Sequence, residues 1–160
     1  MSVTVRPLMP GDVEQVVAFS VEAWAPVHMS FEQVLGQAIF RKLYSDWRAA
    51  QAADVREACL GGEAKVWVAE VGGRPVGFVA VTVDEKGGTG EIYMVAVDPA
   101  HQRRGIGMAL TDRALDHLRS SGCTLAVVAT GGDPGHAPAR RTYERAGFTG
   151  LPLARYYQTL

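Results

Sequence analysis

Residues 91–118 read EIYMVAVDPAHQRRGIGMALTDRALDHL. From Ile92 to Val97 the run is almost unbroken in apolar character, which predicts a strand covered on both faces. Asp98-Pro99 stops it, because proline has no N–H to give to a ladder. Gly105-Ile106-Gly107 then opens a helix whose apolar residues, Ile106, Ala109, Leu110, Ala114, Leu115 and Leu118, fall on one stripe. A second apolar run at residues 125–129 completes a βαβ unit, so its two strands are expected to lie parallel with a right-handed crossover.

The junction between that strand and helix carries chemistry. The first amides of a helix have no internal partner and point along the positive end of its dipole. Gly105 and Gly107 bring no Cβ, so an anion can approach the backbone, and Arg103 and Arg104 add charge beside it. This suits a pyrophosphate. It is not a P-loop, which needs Gly-Lys-Ser/Thr where this chain has Gly107-Met108-Ala109. Nor is it a dinucleotide fingerprint, since Leu110 stands where the third glycine belongs. Without the P-loop lysine or a metal-binding carboxylate pair, phosphoryl transfer is disfavoured. On its own, the turn equally suits glycines kept for packing and arginines that are merely solvated.

Working outward, residues 3–6 alternate as a short strand. Asp12 and Gln15 have the spacing of a capping box for a helix carrying Val13, Val16, Val17, Ser20 and Trp24. Residues 25–29, with Pro26, are expected to break that helix, and Ser30 to cap a second one that breaks again within residues 40–46. Residues 65–70 and 74–84 flank Gly72-Gly73 as a β-hairpin. Residues 130–138, with three glycines and two prolines, form an irregular loop. A helix over residues 138–146 ends at Gly147, and residues 154–160 are expected to form the last strand.

The bulk numbers fit one domain. The chain has 160 residues, 48% hydrophobic and 21% charged, with formal net charge −1 and pI about 6.4. That charge favours neither nucleic acid nor an acidic membrane as partner. Cys59 and Cys123 make no disulfide framework and match no metal spacing. The N-terminus lacks a signal-peptide core and no segment has eighteen apolar residues, so a cytoplasmic location is expected.

Gln102-Arg103-Arg104-Gly105-Ile106-Gly107 matches the pattern Q/R-x-x-G-x-G/A. Further on, Ala139-Arg140-Arg141-Thr142-Tyr143-Glu144-Arg145-Ala146-Gly147-Phe148 resembles A-x-x-x-Y-E-x-x-G-F. The two motifs, in this order, resemble those of the GNAT acyltransferases, the Gcn5-related N-acetyltransferases. The likeness covers the chain well from about Lys65 onward, and the first sixty or so residues only by element order. It implies a single domain over residues 1–160 of α/β (α+β) class. The sheet is expected to be mixed and mostly antiparallel, of six to seven strands with helices on both faces.

The same resemblance implies an activity: transfer of an acetyl group from acetyl-CoA to a small-molecule or peptide amine, by direct attack in a ternary complex, with no metal. A non-catalytic acyl-CoA sensor is the alternative. Diphosphate and pantetheine would lie on Val95, Ala96, Val97, Gln102, Arg103, Arg104, Gly105, Ile106, Gly107 and Met108. Tyr143 stands at the position of the family's thiolate-facing tyrosine. Glu91 stands eleven residues before Gln102, where histone-acetylating members keep a general base. His136 departs from the family, which often has asparagine there; it is placed to touch cofactor, or to act as base with Asp133 fixing its tautomer. Trp24, His28, Met29, Phe31, Trp47, Tyr93, Tyr156 and Tyr157 are candidates for the acceptor pocket, against the plainer reading of each as core or strand packing. Family members are often dimers, so a homodimer is a further expectation.

Overall fold

A computed structural model describes residues 2–160. The order is β1 (Thr4–Pro7), α1 (Val13–Leu35), α2 (Gln37–Tyr44), α3 (Trp47–Leu60), β2 (Lys65–Val71), β3 (Arg74–Asp84), β4 (Thr89–Val97), α4 (Ile106–Ser120), β5 (Leu125–Val128) and α5 (Ala137–Arg145). One five-stranded sheet runs β1-β2-β3-β4-β5. Its first three pairings are antiparallel and β4–β5 is parallel. The predicted βαβ unit is therefore present.

Each face of the sheet buries its own core. On one side α1 and α3 cover Val66, Val68, Phe78, Ala80 and Ala96, using Val13, Val16, Val17, Phe19, Val55 and Ala58. On the other, Ile106, Leu110, Ala114 and Leu118 of α4 pack on Trp67, Ala69, Val79, Val81 and Ile92. Each of the larger aliphatic side chains contributes about 1.5–3 kcal/mol by leaving water. The Gly72-Gly73 hairpin has positive φ at both residues, 57° and 78°, the pair that a tight two-residue turn demands.

Four expectations are corrected. The described sheet has five strands, not six to seven. Residues 154–160 form no strand and lie exposed, with Tyr156 at 91%. Tyr156, Tyr157 and Thr159 suit a strand, but no ladder among the described residues receives them, and β-propensity describes fit to a surface rather than its availability. α1 does not break at residues 25–29; it runs through Pro26 to Leu35. Its two ends are pinned, by Val13, Val16, Val17 and Phe19 in the core and by buried His28 and Ser30 beyond the proline. That packing outweighs the roughly 3 kcal/mol of an internal proline. The first break comes instead at Gly36, with φ 78°, while the second falls between Tyr44 and Trp47, within the expected residues 40–46.

Asp12 and Gln15 form no capping box on α1. Arg6 takes both oxygens of Asp12, at 2.7 and 3.0 Å, and Glu70 at 2.6 Å. Met9 N–H donates to Asp12 at 2.8 Å, and Gln15 instead donates to the carbonyl of Pro75 at 2.9 Å. The first Asp12–Arg6–Glu70 knot thus ties the β1–α1 connection to β2.

Candidate active site

The sheet opens where β4 and β5 part. Their pairing runs only from Thr89↔Leu125 to Ile92↔Val128, so residues 93–97 of β4 have no neighbour on that side. A bulge falls at the same point. Ala80 pairs Met94 while Val81 pairs Ile92, leaving Tyr93 as the extra residue. The bulge reverses the alternation: Ile92 packs with α4, whereas Met94 two residues on packs with α1 and α3. Counting along the strand therefore does not give the face of Tyr93 relative to Glu91. Glu91 sits on the still-paired part of β4, level with Val127, and no hydrogen bond to its carboxylate is recorded among the described residues. Tyr93 is 51% exposed.

The open edge leads to the start of α4. After β4 the Asp98 carboxylate accepts from Ala100 N–H at 2.9 Å, and the Gln102 amide donates to the Val97 carbonyl at 3.0 Å. Gln102 thus holds the loop against the strand end. Arg103 and Gly105 take positive φ, 62° and 79°, and Gly105 is the N-cap of α4. The first recorded amide of this turn to find an acceptor is Ala109, bonded to Gly105 O at 3.0 Å. Among the described residues the six amides of residues 103–108 have none. Arg103 and Arg104 are exposed, with no carboxylate paired to either among those residues. A Cβ at Gly105 or Gly107 would meet nothing within 4 Å, so the space over these amides is open.

Tyr143 is held by the end of α5. Phe148 N–H donates to the Tyr143 carbonyl at 3.0 Å and Gly147 N–H to the Glu144 carbonyl at 3.1 Å, with Gly147 at φ 98°. This is the Schellman closure, and its apolar contact is Tyr143 edge-on to Phe148 at 5.9 Å. The Tyr-Glu-x-x-Gly-Phe spacing is thus a device for fixing one phenol. Burial pushes that phenol above its ordinary value near 10, so it keeps its proton at neutral pH.

The irregular loop 129–136 and the far end of α1 meet in a third cluster. His136 Nδ1 lies 2.5 Å from Asp133 Oδ1, and the Ser30 hydroxyl donates to Asp133 Oδ2 at 2.6 Å. Gly135 N–H donates to Ser30 Oγ at 3.0 Å. Arg140 closes the loop through the carbonyls of Gly131 and Asp133, the latter at 2.8 Å. Burial raises the Asp133 carboxyl, but the bonds from Ser30 and His136 outweigh it and hold it below its ordinary value.

Beside this cluster the rings of α1, α2 and α3 stack. Phe31 lies 5.4 Å from His136 and 5.3 Å from Tyr44. His28 is stacked on Trp47 at 4.1 Å and meets Phe31 edge-on at 5.8 Å. His28 Nδ1–H donates to the Trp24 carbonyl at 3.1 Å, and burial lowers its pKa so that it stays neutral.

Of the pocket candidates, the structure brings together His28, Phe31 and Trp47. Trp24 packs on the α1–α3 core. Met29 lines a mostly apolar cavity of about 630 Å³ between α1 and residues 98–102, with Phe19, Pro26 and Pro99. Tyr156 and Tyr157 stand on the irregular tail. Sequence reading missed Ser30 and Tyr44. Ser30 bonds across 103 positions, so no local spacing signals it.

Comparison with known proteins agrees with this layout. The sequence profile of the acetyltransferase (GNAT) family matches residues 33–148. A mycothiol acetyltransferase of Saccharomonospora viridis is 33% identical over 154 residues, which span 91% of this chain and 45% of that protein. The chain spans less than half the length of the curated relatives it matches. A Desulfovibrio desulfuricans crystal structure described as GNAT superposes with TM-score 0.71 at 24% identity, over 94% of this chain and 87% of that one. An aminoglycoside N-acetyltransferase solved with CoA superposes with TM-score 0.66 at 16% identity, over 99% and 95%. No helix among the described residues is long and apolar enough to cross a membrane. The chain belongs to the GNAT acetyltransferase family.

Proposed function

We propose that the chain moves an acetyl group from acetyl-CoA to the nitrogen of an amine, with both substrates bound together. The observation that carries this reading is the run of unpaired amides at residues 103–108, flanked by Arg103 and Arg104. A diphosphate supplies several oxygens to such a run, and the open space over Gly105 and Gly107 admits them. From there the pantetheine arm follows the unpaired edge of β4 past Val97 and Val95. A main-chain N–H on that edge polarises the thioester carbonyl; one such donor is worth about 10²–10³ in rate.

Tyr143 gives its proton to the departing thiolate. Its raised pKa suits a donor at neutral pH. The acceptor brings its own difficulty. An alkylammonium with pKa about 10 is free amine in roughly one molecule per thousand at pH 7, a deficit of about 4 kcal/mol that a positioned base offsets. Glu91 and His136 are the two groups on offer. The matched relatives are named for mycothiol and several of the structural neighbours for aminoglycosides, which favours a small polar amine as acceptor.

The test is release of free thiol from acetyl-CoA with a panel of an aminoglycoside, a polyamine, an amino sugar, an amino acid and a peptide N-terminus. Amine-dependent release supports the reading. Tight CoA binding without release by any member would leave an acyl-CoA sensor in its place.

A further inference from the structure

Two groups on this chain stand as candidates to deprotonate the amine, and the geometry separates them. The inference rests on the acetyl-transfer reading just given. We infer that His136 is the general base, and that Asp133 and Ser30 are its positioning residues.

Asp133 spends both oxygens on the relay. Oδ1 takes His136 Nδ1 at 2.5 Å; Oδ2 takes the Ser30 hydroxyl at 2.6 Å and Gly135 N–H at 3.2 Å. A carboxylate only accepts, so the imidazole hydrogen is on Nδ1 and the lone pair is on Nε2. That is the tautomer a base needs. The serine comes from α1, where it is 8% exposed, so the relay is anchored in a packed element and not only in its own glycine-rich loop. The imidazole side chain keeps 16% of its surface exposed, enough to reach a ligand. Glu91 has no comparable support: no partner among the described residues fixes its carboxylate, and it sits where β4 and β5 are still paired.

The placement relative to Tyr143 adds a second argument. His136 is the N-cap of α5 and Tyr143 follows seven residues later on the same helix. Seven residues of helical rise set base and acid about 10 Å apart along the axis. An amine and a thiol joined through one carbonyl carbon fit between two side chains so spaced. The nitrogen loses one proton from the ammonium to His136 Nε2, which passes it to solvent. The C–N bond then forms, the C–S bond breaks, and Tyr143 protonates the sulfur. The second proton of the nitrogen restores the phenol.

The titratable and charged groups around His136 are Asp133 and Arg140 from its own segment, His28 on α1 and Tyr44 on α2. With His28 held neutral, the anion against the imidazole is Asp133.

The experiment has two readouts. Nitrogen-15 spectra of the free protein should show His136 as the Nδ1–H tautomer, and Ser30→Ala or Asp133→Asn should mix the tautomers. An Nε2–H form in the parent protein overturns the relay. Thiol release with benzylamine should then fall about 10²-fold in His136→Asn near pH 7. The deficit should shrink toward pH 10, where the amine is already free, while affinity for CoA by calorimetry stays within about threefold. Glu91→Gln should lose less activity than His136→Asn. A deficit in His136→Asn that is constant with pH, or a larger one in Glu91→Gln, overturns the assignment. Failure of the parent protein to bind CoA overturns the catalytic role through the cradle instead, and the calorimetry tells the two failures apart.

Discussion

The two glycines of the α4 cradle should answer the same substitution with opposite signs. Gly105 sits at φ 79° and ψ 3°, in the left-handed region, whereas Gly107 lies in the first turn of the helix and is not among the positive-φ residues. A Cβ at either position would touch nothing within 4 Å, so crowding plays no part. Only backbone preference remains. Gly105→Ala forces an L-residue into left-handed geometry, at about 1–2 kcal/mol. Gly107→Ala removes freedom from the unfolded chain in a conformation alanine likes, a gain of about 0.4–1 kcal/mol. In a domain of this size 1 kcal/mol moves Tm by roughly 2–4 °C. Gly105→Ala should therefore melt about 2–8 °C lower, and Gly107→Ala about 1–4 °C higher. Urea denaturation at 25 °C, followed by circular dichroism, reads the same quantities directly. CoA at a hundred times its Kd should add about 2.7 kcal/mol to the parent protein. Gly105→Ala should keep less of that increment, because its amides turn with the relaxed N-cap. Equal signs for the two variants, or a neutral Gly105→Ala, would refute the left-handed cap as the feature that aims the amides.

Three further outcomes follow from the structure. Tyr143→Phe should lower thiol release by about 10²-fold or more while leaving CoA affinity nearly unchanged, as general acids of this kind contribute. Gly77→Ala should cost about 1–3 kcal/mol in denaturation, because its Cβ would lie 3.0 Å from Leu110 and 3.1 Å from Ile106, where β3 and α4 meet. The Arg6 bonds hold the Asp12 carboxyl below its ordinary 3.8, outweighing burial. A depressed carboxyl stabilises the fold above its unfolded value and loses that contribution as pH falls through the folded one. Stability should accordingly drop below about pH 4, and Arg6→Ala should flatten that limb in a urea-midpoint series against pH.

Much of this was legible because the deciding signals are local. The apolar run of β4, the proline that ends it and the glycines that open α4 lie within sixteen residues, and the βαβ reading adds only the apolar run at residues 125–129. Tyr143, Gly147 and Phe148 were legible for the same reason, since a Schellman closure is written in six consecutive residues. What escaped depends on distant partners. Pro26 reads as a breaker until Phe19 and Ser30 are seen pinned on either side of it. Ser30 reads as a helix cap, and Asp12 likewise, until Asp133 and Arg6 are found holding them. The tail at residues 154–160 carries the β-favouring Tyr156, Tyr157 and Thr159 but receives no ladder among the described residues. The bulge at Tyr93, which falls where β4 and β5 part, shifts the β3–β4 register in a way that the apolar run alone does not encode.

The central claim is that main-chain donors at residues 103–108 grip a diphosphate. Titration calorimetry with CoA, and in parallel with pantetheine, which keeps the thiol arm and lacks the diphosphate, tests it most directly. One CoA should bind per chain with a clear heat, and pantetheine far more weakly. No heat from folded protein at millimolar CoA, or equal affinity for the two ligands, would contradict it.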